Sequence, residues 1–224
     1  MLIILDMATP NGDLLEGAKT CGGPQSLKPG KAIAMFDPRA DLFFEDPRNP
    51  RRPPGMLGVL YLLRQDVLRC LMPDPTGNSI FGRSALWPGG MAILAGIDLL
   101  GKFYAGDDTI GQVGQRFTSF IRKYLQPLSP GDEDVLYQLR NSLLHSFGLY
   151  SSARAQTYHF MLTGKGGVPF IQQPRTTFYQ VDLIVLHERF ERAIVSYVND
   201  LEADPNLQTK FLTMFPNYGA IEIT

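Results

Sequence analysis

The chain has 224 residues, a formal net charge of -1 and 44% hydrophobic residues. That suffices for one folded domain with a core, and it excludes a global basic field of the kind that draws a protein to nucleic acid. Any RNA or DNA binding has to come from a local patch. The two cysteines, Cys21 and Cys70, lie far apart and form no CxxC pair, which fits a reducing compartment and leaves a single disulfide open.

The apolar run from Leu2 to Leu5 is cut by Asp6 and is too short for a signal-peptide core. No later segment approaches a membrane span, so the expectation is a cytoplasmic protein with no membrane association. Residues 1–55 are rich in Gly, Pro and Asp, with only broken apolar runs at Ile33 to Phe36 and Leu42 to Phe44. They predict an irregular N-terminal extension with a short strand or two. Its end, Arg48-Asn49-Pro50-Arg51-Arg52-Pro53-Pro54-Gly55, reads as a stiff basic linker, either a solvated spacer or a phosphate-contacting arm.

Residues 56–224 read as a helical domain. Leu57, Leu60, Leu63, Val67, Leu68 and Leu71 recur at helical spacing until Pro73 ends the run. A second helix is expected over Met91 to Tyr104, stopped near Gly106. Within it Asp98 interrupts an apolar run, as an exposed acid or as a buried partner for Arg140. A third helix is expected over Ile110 to Leu125. Its Arg116, Arg122 and Lys123 form either a solvated face or part of a phosphate-binding surface.

The fourth helix carries a start signal. Ser129 can cap, Pro130 suits the first helical position, and Asp132, Glu133 and Asp134 complement the dipole. It is expected to fray near Gly148. A small β-hairpin follows at about 155–181: Thr157 to Thr163, a turn at Gly164-Lys165-Gly166-Gly167, a return over Val168 to Gln172, and a third short strand at Thr176 to Val181. A long amphipathic helix over Asp182 to Leu201 and a short one within Asn206 to Met214 complete a mainly α bundle.

The chemistry concentrates on the fourth helix, in Arg140-Asn141-Ser142-Leu143-Leu144-His145. An imidazole moves protons near neutral pH and a guanidinium holds phosphate, so the pair can cleave a phosphodiester without a metal. At roughly 100° per residue, Leu136, Leu139, Leu143, Phe147 and Tyr150 cluster on one side and should face the core. His145 falls nearly opposite them, with Asn141 one turn earlier on the same face. Arg140 lies on the flank, from which its long side chain can swing round or pair with an acid. Gln138 and Ser142 would extend the polar strip.

Other candidates are weaker. The Gly164–Gly167 turn lacks P-loop spacing. His187-Glu188 is not part of HExxH, because position 191 is Glu191. His159 has no cysteine or carboxylate pair beside it in sequence.

The Arg140-to-His145 segment resembles the signature of the HEPN superfamily: an arginine, a polar residue, and a histidine after four intervening residues. The resemblance covers about residues 56–203. It implies a helical bundle and, for many members, a metal-independent endoribonuclease in toxin–antitoxin or other defence systems. It further implies a homodimer whose two sites share one groove, RNA as substrate, and an antitoxin or regulatory protein as partner, with no cofactor and no metal. Arg140, Asn141 and His145 would be catalytic, and Ser142, Arg122 and Lys123 would bind RNA. Where one toxin branch carries a tyrosine two residues after the histidine, this chain has Phe147. Some members have lost activity and serve as binding modules. A catalytically inactive HEPN-like module that binds a protein or RNA partner is therefore the alternative.

Overall fold

A computed structural model describes residues 36–50, 55–72, 85–153, 156–166 and 169–222. All the described residues fall within one unit, Ile33–Thr224. Residues 1–32, the expected strand start at Ile33, linker residues 51–54, Pro73, Gly167 and Val168 lie outside the described residues.

The fold is mainly α. Seven helices are present among the described residues: α1 (Pro38–Phe44), α2 (Val59–Leu71), α3 (Leu86–Ala105), α4 (Val113–Tyr124), α5 (Asp132–His145), α6 (Leu183–Ala203) and α7 (Pro205–Tyr218). Helix α3 is the axis and touches α2, α4, α5, α6 and α7. Its buried stripe of Ile93, Leu94, Ile97, Leu100 and Phe103 follows the 3.6-residue period. At Gly96 a Cβ would come within 2.5 Å of the Phe190 ring, so a side chain there would push α3 off α6. Gly106, at φ 72°, gives α3 its left-handed stop.

The extension is not irregular throughout. Leu42 to Phe44 belong to helix α1, not to a strand. Asp37 caps it by accepting from the Arg39 amide at 2.8 Å, and Pro38 sits in the first turn. Phe43 then reaches the core, with ring centroids 4.5 Å from Phe103 and 5.5 Å from Phe211. Burial of those rings overrides the breaker-rich composition around them.

The expected hairpin also differs. Strands β2 (Tyr150–Ala153), β3 (Gln156–Thr163), β4 (Ile171–Arg175) and β5 (Phe178–Asp182) form one sheet in the order β2-β3-β5-β4. β3 pairs with β5 in parallel, and β4 returns antiparallel to β5. The Gly-containing turn at 164–166 therefore joins strands that are not neighbours. Asp182 explains why. Its Oδ2 accepts from the Lys165 and Gly166 amides at 3.1 and 3.0 Å and from the Thr163 hydroxyl at 3.2 Å. Its Oδ1 caps α6 through the Ile184 and Val185 amides at 3.0 and 3.2 Å. A carboxylate of the chain itself thus fills the amide-lined turn that a phosphate would need. A separate two-stranded pair joins β1 (Met56–Gly58) to β6 (Ala220–Glu222).

Candidate functional site

Helix α5 is set by Leu136, Leu139 and Leu143, all fully buried. It starts at Asp132, with Gly131 at φ 90° in the capping position, rather than at Ser129. The Asp132 carboxylate accepts from the Ser129 amide at 2.9 Å, so the acid caps the turn before it. The helix stops sharply at His145. Phe147 takes φ 46°, and the Gly148 amide donates to the Ser142 carbonyl at 2.9 Å. Because the helical period ends there, Phe147 and Tyr150 do not join the core face, and they are 71% and 51% exposed.

His145 is exposed, on the face opposite the leucines. Arg140 is only 7% exposed. Its Nη2 donates to Asp98 Oδ2 of α3 at 2.6 Å, so Asp98 is a half-buried partner of Arg140 rather than a free acid. Its Nη1 donates to Asn141 Oδ1 at 3.2 Å and lies 2.5 Å from His145 Nε2. A guanidinium has donors only, so Nε2 is the acceptor and a neutral imidazole carries its proton on Nδ1. The three residues singled out from the sequence are thus in mutual contact, with Asp98 as a fourth member. Arg140 Nε and Asp98 Oδ1 are buried without a hydrogen-bond partner among the described residues.

The other expected site residues are placed elsewhere. Ser142 does not extend the strip. At 100° per residue it lies about 60° from Leu139; it is 1% exposed and its hydroxyl donates to the Leu139 carbonyl at 3.0 Å. Gln138 accepts from Ser151 at 2.6 Å and ties α5 to β2. Arg122 grips Glu133 with two bonds, at 3.0 and 2.7 Å. Glu133 is in the first turn of α5, so Arg122 sits about 18 Å of helix away from His145. Lys123 pairs with Asp200 of α6 at 3.2 Å. Neither cation is assembled with the Arg140–His145 group. Arg116 is 4% exposed and donates to the Thr109 carbonyl at 2.8 Å and to Asp108 at 3.2 Å, which removes it from any phosphate surface.

A third buried arginine shows a different pattern. Arg64 of α2 donates through Nε and Nη2 to the two oxygens of Glu191 at 3.0 and 2.6 Å. Its Nη1 donates to the Phe44 and Glu45 carbonyls at 3.2 and 2.9 Å. His187, 2% exposed, stands 3.7 Å from Glu191. Burial alone would raise the Glu191 pKa, but the neighbouring imidazole and the two-pronged guanidinium outweigh it and hold the carboxyl down to about 2. His187 and Glu191 face each other in the interior beside Arg64. Among the described residues no three His, Cys, Asp or Glu side chains gather as a metal-binding set, and no helix is long and apolar enough to cross a membrane.

The sequence reading missed the aromatic residues beyond the helix. Phe147, Tyr150 and Phe178 are exposed, and His159 stands between the rings of Tyr150 and Phe178 at 5.2 and 4.9 Å. The alternation Tyr158, His159, Phe160, Met161 carried that signal, since one parity of a half-buried strand must face outward. Comparison of the chain with family models, with curated proteins and with solved structures found no match. The class defined by the fold is therefore a mainly α domain with a mixed four-stranded sheet.

Proposed function

We propose that the protein is a metal-independent endoribonuclease of HEPN type, acting in the cytoplasm as a toxin or defence effector. The observation that carries this reading is the contact of an exposed imidazole with a buried guanidinium on one helix end, the guanidinium backed by Asp98. Substrate phosphate draws a hydrogen bond from Arg140 Nη1 and releases His145 Nε2. The freed lone pair takes the proton of the ribose 2′-hydroxyl, and the 2′-oxygen attacks phosphorus. Arg140 stabilises the charge that grows on the pentavalent transition state. The P–O5′ bond breaks, leaving a 2′,3′-cyclic phosphate and a 5′-hydroxyl. Asp98 is a positioning residue that keeps Arg140 aimed, and the Asn141 amide N–H groups are left to bind phosphate. A homodimer completes the scheme, because one His145 accepts the first proton while its counterpart donates to the leaving oxygen. An antitoxin or other regulatory protein would hold the activity in check.

The test is incubation of the purified protein with labelled RNA in EDTA. Cleavage is expected with RNA, absent with all-2′-deoxy substrate, and lost in His145→Ala. Dependence on added metal, or survival of cleavage in His145→Ala, sinks the scheme. The rival is an inactive module that binds a protein or RNA partner. It draws on one observation: Arg140 is already engaged by three side chains. Under the rival, Arg140→Ala changes stability and leaves no activity to lose.

A further inference from the structure

We propose that the outer face of the four-stranded sheet is a stacking platform for single-stranded RNA, delivering the strand to the Arg140–His145 site. This inference rests on the ribonuclease reading for its destination, and on separate residues for its substance. The strand registers place Tyr150 opposite His159, His159 opposite Phe178, and Phe178 opposite Arg175. One line of side chains therefore crosses all four strands. Alternation points Tyr158, Phe160, Tyr179 and Val181 into the core and turns the line outward.

The rings of His159 and Phe178 stack at 4.9 Å with 12° between planes, and Tyr150 follows at 5.2 Å. Tyr150 lies on an edge strand and has a ring neighbour only on its β3 side among the described residues. The row of rings, with Tyr150 tilted by 57° to His159, is thus open at the strand that leaves α5. Tyr150 lies five positions after His145, a reach of at most about 18 Å. Exposed Phe147 lies between them.

The chemistry of the face favours nucleic acid over an apolar partner. Its other outward positions include Ser152, Thr157, Gln180 and Gln172, which offer hydroxyls and amides to base edges, and Met161, 46% exposed, which adds an apolar contact beside the rings. No available carboxylate shares it among the described residues. Asp182 has the outward parity, but it is 4% exposed and both oxygens are taken by backbone amides. Exposed Arg175 closes the line. In a chain of net charge -1 this face is a local exception. Rings for bases, a guanidinium for phosphate and no competing anion are what a single strand requires, whereas a duplex buries its base faces.

The experiment uses His145→Ala protein, so that RNA is bound and not consumed, with fluorescein-labelled oligoadenylate and oligouridylate read by anisotropy. Tyr150→Ala and Phe178→Ala should each weaken binding roughly tenfold. Tyr150→Trp should restore it, and the melting temperature should stay unchanged. Arg175→Ala should flatten the slope of log affinity against log salt by about 0.7. Equal affinity in all variants overturns the platform, even if His145→Ala abolishes cleavage and the ribonuclease reading stands. Ring-dependent binding by a wild-type protein that cuts no RNA keeps the platform and removes the nuclease. An oligomer that dissociates in Tyr150→Ala or Phe178→Ala, with RNA affinity intact, marks the face as a contact between copies and overturns the proposal.

Discussion

Of the three arginines buried among the described residues, Arg64 at 5% and Arg140 at 7% exposed are the two that meet one carboxylate of another helix, yet their pairing differs. Arg64 meets a carboxylate with two parallel bonds and directs its Nη1 to two backbone carbonyls. That four-bond pairing joins α2, α6, the last residue of α1 and the chain just after it. Arg140 meets Asp98 with one prong and spends the other on Asn141 and His145, leaving its Nε and one Asp98 oxygen unmatched. Incomplete pairing costs stability, and it also makes the guanidinium easier to turn. The lesson is that burial of a charge does not mark a site; the state of its hydrogen-bond ledger and an exposed neighbour do.

Removing Glu191 should give the largest effect. Glu191→Ala strands a buried guanidinium and should cost about 3–5 kcal/mol in urea unfolding. A loss under about 1 kcal/mol would show that Arg64 is not a clamp. His145→Ala should behave in the opposite way. The side chain is exposed, so stability should stay within about 0.5 kcal/mol, while RNA cleavage should fall by roughly 10²–10⁴-fold. A large stability loss with unchanged cleavage would erase the contrast between the two arginines.

Acid titration sharpens the same contrast. The Glu191 carboxyl is lowered from 4.5 to about 2, so its contribution is fully present above pH 4.5 and is lost as pH falls through about 2. Thermal melts across that window should show a slope that Glu191→Gln lacks. A wild-type slope no steeper than that of the glutamine variant would count against the pairing. Asn141→Ala should have the smallest consequence, a few-fold drop in cleavage with little change in melting temperature. Its side chain accepts from Arg140 without holding any packed element in place.

Local pattern determined a good part of this protein. The 3.6-residue rhythm of Leu136, Leu139 and Leu143 put His145 on the outer face, and apolar periodicity located α2 to α7 to within a few residues at most boundaries. Those features depend on neighbours along the chain, so they can be read along it. Tertiary structure alone decided the rest. Asp98 and Arg140 meet across 42 residues and Arg64 and Glu191 across 127; the sequence offered the first pairing only as one of two readings of Asp98, and the second it did not offer. The same holds for the parallel pairing of β3 with β5 and for the docking of α1, where buried rings prevail over a sequence full of breakers. Closing such distant contacts costs chain entropy that only the assembled core repays, which is why no local signal records them.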